Sequence, residues 1–262
     1  MKKLHCMILA LVLVASMTAV AGAESANKLG DFANRLKKAA QQQAGTEEAA
    51  PAESVIESIG PDIRINDPFY QKVTSSAYLY ESKYSKEANT LIELKNVSGR
   101  TLYPQSANFK MYDASGNVLG EKTYANCYPE MVEDGDSLFV WTYFYDPKCE
   151  LDAISYFEVT LESKTSSYRN YVKIDATAMA MDGLAYALVE NTTDSDIYGA
   201  NAVVAVRNDA SQLLDVVHLS TGNAIGLFPG STMIMRDNIT DHATDSALTT
   251  GNATAYVMYQ LD

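Results

Sequence analysis

From about Ile63 onward, apolar and polar residues alternate in short runs, broken by turn signals every eight to twelve residues. A period of two with frequent turns predicts a β-sandwich rather than a helical fold. In "SANFKMYD", Ala107, Phe109 and Met111 alternate with Asn108, Lys110 and Tyr112, so the first set is expected to face the core. "TLIELKN" and "YALVEN" end on Asn96 and Asn191, a residue type that tolerates turn conformations and bonds back to its own backbone. "DASGN" then turns the chain, and Val118 and Leu119 begin the return strand. Upstream the pattern is different. Leu29, Phe32, Leu36, Ala39 and Ala40 fall at helical spacing within 25–43, which predicts a short amphipathic helix with a narrow stripe, interrupted by Gly30. The following "AGTEEAAPAESV" is small, acidic and proline-bearing, and reads as a linker.

Sliding the chain against itself by 95 residues brings Asn96 onto Asn191, Tyr103 onto Tyr198, Ala107 onto Ala202, Leu119 onto Leu214 and Gly135 onto Gly230. Character matches between those identities, as in Leu94 with Val189, Leu102 with Ile197, Phe109 with Val204, Met111 with Val206, Val118 with Leu213 and Val132 with Leu227. A single gapless register of this kind predicts two copies of one domain. "YFEVTL" from Tyr156 and "TAYVMY" from Thr254 read as the last strand of each. The expected organisation is a leader over 1–23, helix and linker over 24–62, and β-sandwich domains over 63–163 and 164–262.

The leader reading comes from "MKKLHCMILALVLVASMTAVAGA": two lysines, an uncharged apolar run from about Met7 to Val20, then Ala21-Gly22-Ala23. This predicts a secretory signal peptide. The run is shorter than the roughly 20 residues a bilayer core requires, so no membrane insertion after cleavage is expected. Cys6 lies ahead of the run and leaves with the leader. Loss of the two lysines takes the net charge from −13 to −15, which disfavours nucleic acid and anionic lipid as partners. Cys127 and Cys149 remain, and in an oxidising compartment such a pair is expected to form one disulfide, stabilising by about 3 kcal/mol.

"FKMYD", Phe109 to Asp113, follows a strand ending in asparagine and precedes "SGNVLG" and "DGDSLFV". Over about Leu91 to Phe144 this resembles the FxLYD domain, a small immunoglobulin-like module of exported bacterial and archaeal proteins, with methionine where leucine is usual. The second copy has "VVAVRN" in place of the signature and is similar only through the first. The resemblance implies a fold and an exported location, and no shared catalytic site.

Candidate chemistry is sparse. His218 lies in the apolar run "LLDVVHLS" and His242 in the polar "DNITDHATD", without HExxH spacing or a flanking cysteine. Asp113, Ser115 and Asn117 alternate like calcium ligands, but the glycine is fourth in the loop and no glutamate stands twelfth, so a hairpin turn is the expectation. "FVWTYFYDP" puts Phe139, Trp141, Tyr143 and Tyr145 on one strand face, and "AYLYESKY" adds Tyr78 and Tyr80. Such a row either packs inside the molecule or faces solvent as a stacking platform for sugars or a partner. The sequence reading is therefore an exported, non-catalytic binding or scaffold protein of a bacterial envelope. It carries no cofactor or metal, and its partner is an envelope protein or a glycan. Glycan binding through the aromatic row and an envelope hydrolase using His218 or His242 are the alternatives.

Overall fold

The computed structural model describes residues 60–81, 84–167, 169–174, 176–221, 226–242, 246–247 and 250–261. The expected leader, the short helix and nearly all of the linker lie outside the described residues. About two-thirds of those described are strand. The first seven strands are β1 (Asp62–Ile65), β2 (Tyr70–Glu81), β3 (Lys86–Asn96), β4 (Tyr103–Tyr112), β5 (Val118–Tyr128), β6 (Ser137–Tyr145) and β7 (Tyr156–Lys164), with one 3-10 turn at Leu151–Ala153.

These seven form one sheet in the order β1-β7-β4-β5-β6-β3-β2 that folds over on itself at β5. The first part of β5 pairs with β4, as Lys110 with Glu121, and its last residues pair with β6, as Cys127 with Val140. At the fold Thr123 and Tyr124 together oppose Asn108, and Tyr124 takes φ 58°. An extra residue of this kind bends a strand and sharpens its twist, which lets one strand serve both layers. Ala107, Phe109 and Met111, with Phe157 and Val159 beside them on β7, share a core with Ile92, Leu94, Leu138 and Val140 of the other layer. The alternation read along β4 is thus the alternation of the core.

The remaining strands are β8 (Asn170–Ile174), β9 (Ala176–Met181), β10 (Leu184–Glu190), β11 (Ile197–Tyr198), β12 (Asn201–Arg207), β13 (Leu213–Ser220), β14 (Gly226–Leu227), β15 (Thr232–Asn238), β16 (Thr240–Asp241), β17 (Ser246–Ala247) and β18 (Thr250–Leu261). They surround a second core of Ala185, Ala187, Val189, Ala202, Val204, Val206, Leu219 and Val257 among others. Here the sheet folds over at the last strand, β18. Its first residues pair with β9 and the following ones with β12.

One set of hydrogen bonds recurs in both halves. Asn96 is fully buried; its Nδ2 donates to the carbonyls of Arg100 at 2.8 Å and Val132 at 2.9 Å, and its Oδ1 accepts from the N–H and hydroxyl of Ser98. Asn191, also fully buried, donates to Ser195 at 2.8 Å and Leu227 at 2.7 Å and accepts from the N–H and hydroxyl of Thr193. Their backbones follow suit, Asn96 with Gly135 and Asp136, and Asn191 with Gly230 and Ser231. Each partner in the second set stands 95 residues after its counterpart. The N-x-Ser/Thr pattern at both positions thereby has a structural cause, since the hydroxyl two residues on closes the loop against the buried amide.

The loop after β4 recurs as well. The Asp113 carboxylate accepts from the N–H groups of Ser115 and Asn117 and from the Asn117 side chain, each at 2.8 Å. Those bonds hold its carboxyl below the usual range and commit it to the turn. After β12, Asn208 accepts from the N–H groups of Ala210 and Gln212, and Ser211 takes φ 62° where Gly116 takes φ 82°.

The expected disulfide is not formed: Cys127 and Cys149 are both free. Cys127 sits opposite Val140, whereas Cys149 lies beyond Tyr145, five residues further along β6. The run from Val140 to Tyr145 spans about 16 Å at ~3.3 Å per residue, and Cys149 follows its far end. Burial pushes the Cys127 thiol up to about 12, and burial and Glu150 raise that of Cys149.

Asn96→Ala and Asn191→Ala should each cost about 3 kcal/mol in urea denaturation, because buried carbonyls lose their donor in either case. A cost below about 1 kcal/mol for either would show that the node does not hold its loop. Alkylation of the folded protein should reach Cys149 at least about tenfold faster than Cys127. An unreduced mass lower by two hydrogens would restore the disulfide.

Candidate functional site

Strand β6 is buried on both faces, and the site follows from that. Leu138, Val140 and Phe144 point into the N-terminal core, which sends Phe139, Trp141 and Tyr143 out of the opposite face. Beside them Leu91 and Glu93 leave β3, and Ser76 and Tyr78 leave β2. The outer face of a sandwich is ordinarily polar. This one is covered by β12 and β13 of the C-terminal half, through Val203, Ala205, Leu213 and Val216. Small and β-branched side chains on the covering side let the two sheet faces approach closely around the aromatic rings.

The seam settles where the aromatic row points. Trp141 is 4% and Tyr78 is 6% exposed, so neither can form a solvent-facing platform in this fold. Tyr143 and Tyr80 are partly buried, and Tyr145, 68% exposed, borders an open groove of about 380 Å³ with Met111, Leu119 and Phe144. Only the end of the row thus reaches water.

Polar groups crossing the seam are matched individually. The hydroxyls of Ser76 and Tyr78 both donate to the Leu213 carbonyl at 3.1 Å. Arg207 pairs with Glu93 at 2.6 Å, with side chains 14% and 8% exposed, and the second Glu93 oxygen accepts from Ser137 at 2.7 Å. Burial strengthens such a pair but also charges its desolvation against it, so joining it stabilises little while breaking it is expensive. At the rim Lys173 of β8 is bonded to Glu133 at 2.7 Å and to Asp136.

Both predicted histidines are in the seam. His242 Nε2 lies 2.9 Å from Asp215 Oδ1, and its Nδ1 lies 3.4 Å from Asn89 Nδ2. An amide nitrogen can only donate, so Nδ1 is the acceptor and Nε2 carries the hydrogen that Asp215 accepts. Asp215 also accepts from the N–H groups of Val216 and Thr240. Tyr78 and Tyr143 flank the imidazole, with ring centroids 6.2 and 5.5 Å away. Burial, then the Asp215 and Glu87 carboxylates, push the Tyr143 hydroxyl up and keep it neutral. His218 stacks on Tyr128 with centroids 4.0 Å apart at 15°, and its Nε2 is buried without a partner. An Asp–His pair of this geometry has general-base chemistry in principle; here Asp215 is taken up by two backbone N–H groups and the imidazole, and the far imidazole nitrogen meets Asn89 of the other half. Among the described residues no group of three His, Cys, Asp or Glu side chains is placed to hold a metal ion.

No family model and no curated protein matches this chain. Among solved structures, red sea bream transglutaminase matches at a TM-score of 0.20 and 12% identity, over 74% of this chain and 29% of its own. A structure of infectious bursal disease virus, Gt strain, matches at 0.15 and 10%, over 77% and 68%. The chain thus spans less than a third of the transglutaminase, and at such TM-scores neither likeness carries an argument about activity. No helix among the described residues is long and apolar enough to cross a membrane.

Sequence reasoning singled out the histidines and the aromatic row but missed Asn89, Glu93, Arg207 and Asp215. A signal was present: Glu93 in "TLIELKN" and Asp215 in "LLDVVHLS" are acids inside apolar strands, and such an acid requires a buried partner. A double-mutant cycle tests the pair. Glu93→Ala and Arg207→Ala should each cost about 3–5 kcal/mol, and the double variant clearly less than their sum. Simple additivity would show that the two charges are not coupled.

Proposed function

We propose that this chain is an exported, non-catalytic binding or scaffold protein of a bacterial envelope, built from two copies of one FxLYD-like sandwich. The observation that carries the reading is the seam. His218, His242, Glu93, Arg207 and the single tryptophan lie between one half and the other, and Asp215 positions His242 from within the C-terminal half. The recurrence of the buried asparagine network at a constant spacing of 95 residues supports the two-copy part. The leader-like N-terminus supports export. Groups that in an enzyme would meet a substrate are here neighbours of another sheet, and a body so joined offers its surface for recognition.

The test uses the full chain expressed in a bacterial host. Protein recovered outside the cytoplasm should begin just after Ala23, and crosslinking in intact cells should give the same envelope partner with wild type and with the His218→Phe, His242→Gln double variant. Retention in the cytoplasm overturns the export reading. An enzymatic activity lost only in the double variant overturns the non-catalytic one.

A further inference from the structure

The two histidines of the seam face the N-terminal half differently. A carboxylate is in contact with His242, whose other nitrogen meets Asn89. His218 stands on β13 opposite Val203, lies flat on Tyr128, and has no hydrogen-bond partner for its buried Nε2. A second proton on that ring would put an unmatched cation into an apolar contact. We propose that the seam is an acid-sensitive joint, in which protonation of His218 breaks its stacking on Tyr128 and loosens the two halves while each keeps its own core.

Among the described residues no carboxylate bonds to His218, and although the Tyr128 face attracts a cation, burial outweighs it. From β5 it faces Tyr128, with Cys127 before it and Glu130 after it; β6 contributes Trp141 behind Tyr128, and Tyr171 of β8 acts on Tyr128 electrostatically. Burial raises both Cys127 and Tyr128, so neither is an anion at or below neutral pH. Burial also pushes the Glu130 carboxyl up, against the pull of Arg169. A carboxyl raised in the folded state gains stability as pH falls, which is the opposite sign to the proposed effect. Burial lowers His218. The docked state therefore holds the neutral ring: its contribution is complete above the ordinary histidine value of about 6.5 and is lost as pH falls through the lower docked value.

Trp141 is the one tryptophan and lies in the seam, so it reports the joint directly. Acrylamide quenching of the full chain should rise about threefold between pH ~7.5 and ~5 with the far-UV circular dichroism unchanged. His218→Phe keeps an aromatic ring without a titrating nitrogen and should stay flat over that range, whereas His242→Gln should keep the rise. A flat wild type, a rise that survives in His218→Phe, or loss of circular dichroism in step with the quenching would each overturn the proposal. Should His218→Phe not fold, His218→Leu is held to the same outcomes.

Discussion

The outer face of β2, β3 and β6 presents Tyr78, Leu91, Phe139 and Trp141, and such a face does not remain in water when a second sheet is available to cover it. Each side chain of that size contributes about 1.5–3 kcal/mol on full burial, so docking of β12 and β13 is driven by area and not by any single bond. Everything polar at the contact then has to be matched in place. Glu93 finds Arg207, the Tyr78 and Ser76 hydroxyls find a carbonyl, and Asp215 finds two N–H groups and an imidazole. The residues that looked most like chemistry are thereby the ones most occupied by structure. The exceptions are single buried atoms without a partner, Nε2 of the partly buried His218 and Oδ1 of Asn89 among them.

The buried asparagine node plays the complementary part within each half. Its amide ties the end of one strand to the carbonyl of a residue 36 positions away, and no apolar residue could satisfy those carbonyls. Around this fixed point the halves differ freely. The N-terminal sheet folds over at β5, through a bulge at Tyr124, and the C-terminal sheet folds over at β18. Ser211 occupies the left-handed turn position that Gly116 takes in the first half, so the turn survives although its best residue does not.

Several features were legible in the sequence because their causes are local. Period-two alternation along β4 is imposed by the pleat, so Ala107, Phe109 and Met111 could be assigned to the core before any fold was known. Asp113 reads as a turn residue because its carboxylate reaches N–H groups two and four residues on. The 95-residue register was visible because both halves keep the asparagine that the node requires. The candidate site was half legible. Its aromatic row and histidines stood out, but an alternating strand only divides its side chains between two faces, and both faces of β6 are covered.

What the sequence by itself determined is the strand pattern, the turn chemistry and the spacing of the recurrence, since each depends on residues close in the chain or on a constant offset. What only the tertiary structure decided is everything that needs two distant faces to meet. Trp141 is buried in a cluster it shares with Val203 and Leu213 of the other half, and Arg207 rather than any neighbour of Glu93 supplies its counter-charge. Cys127 and Cys149 stay apart because strand β6 runs between their positions. Pairing across a seam is set by how sheets pack, and that depends on the whole of both surfaces, not on the order of residues within either.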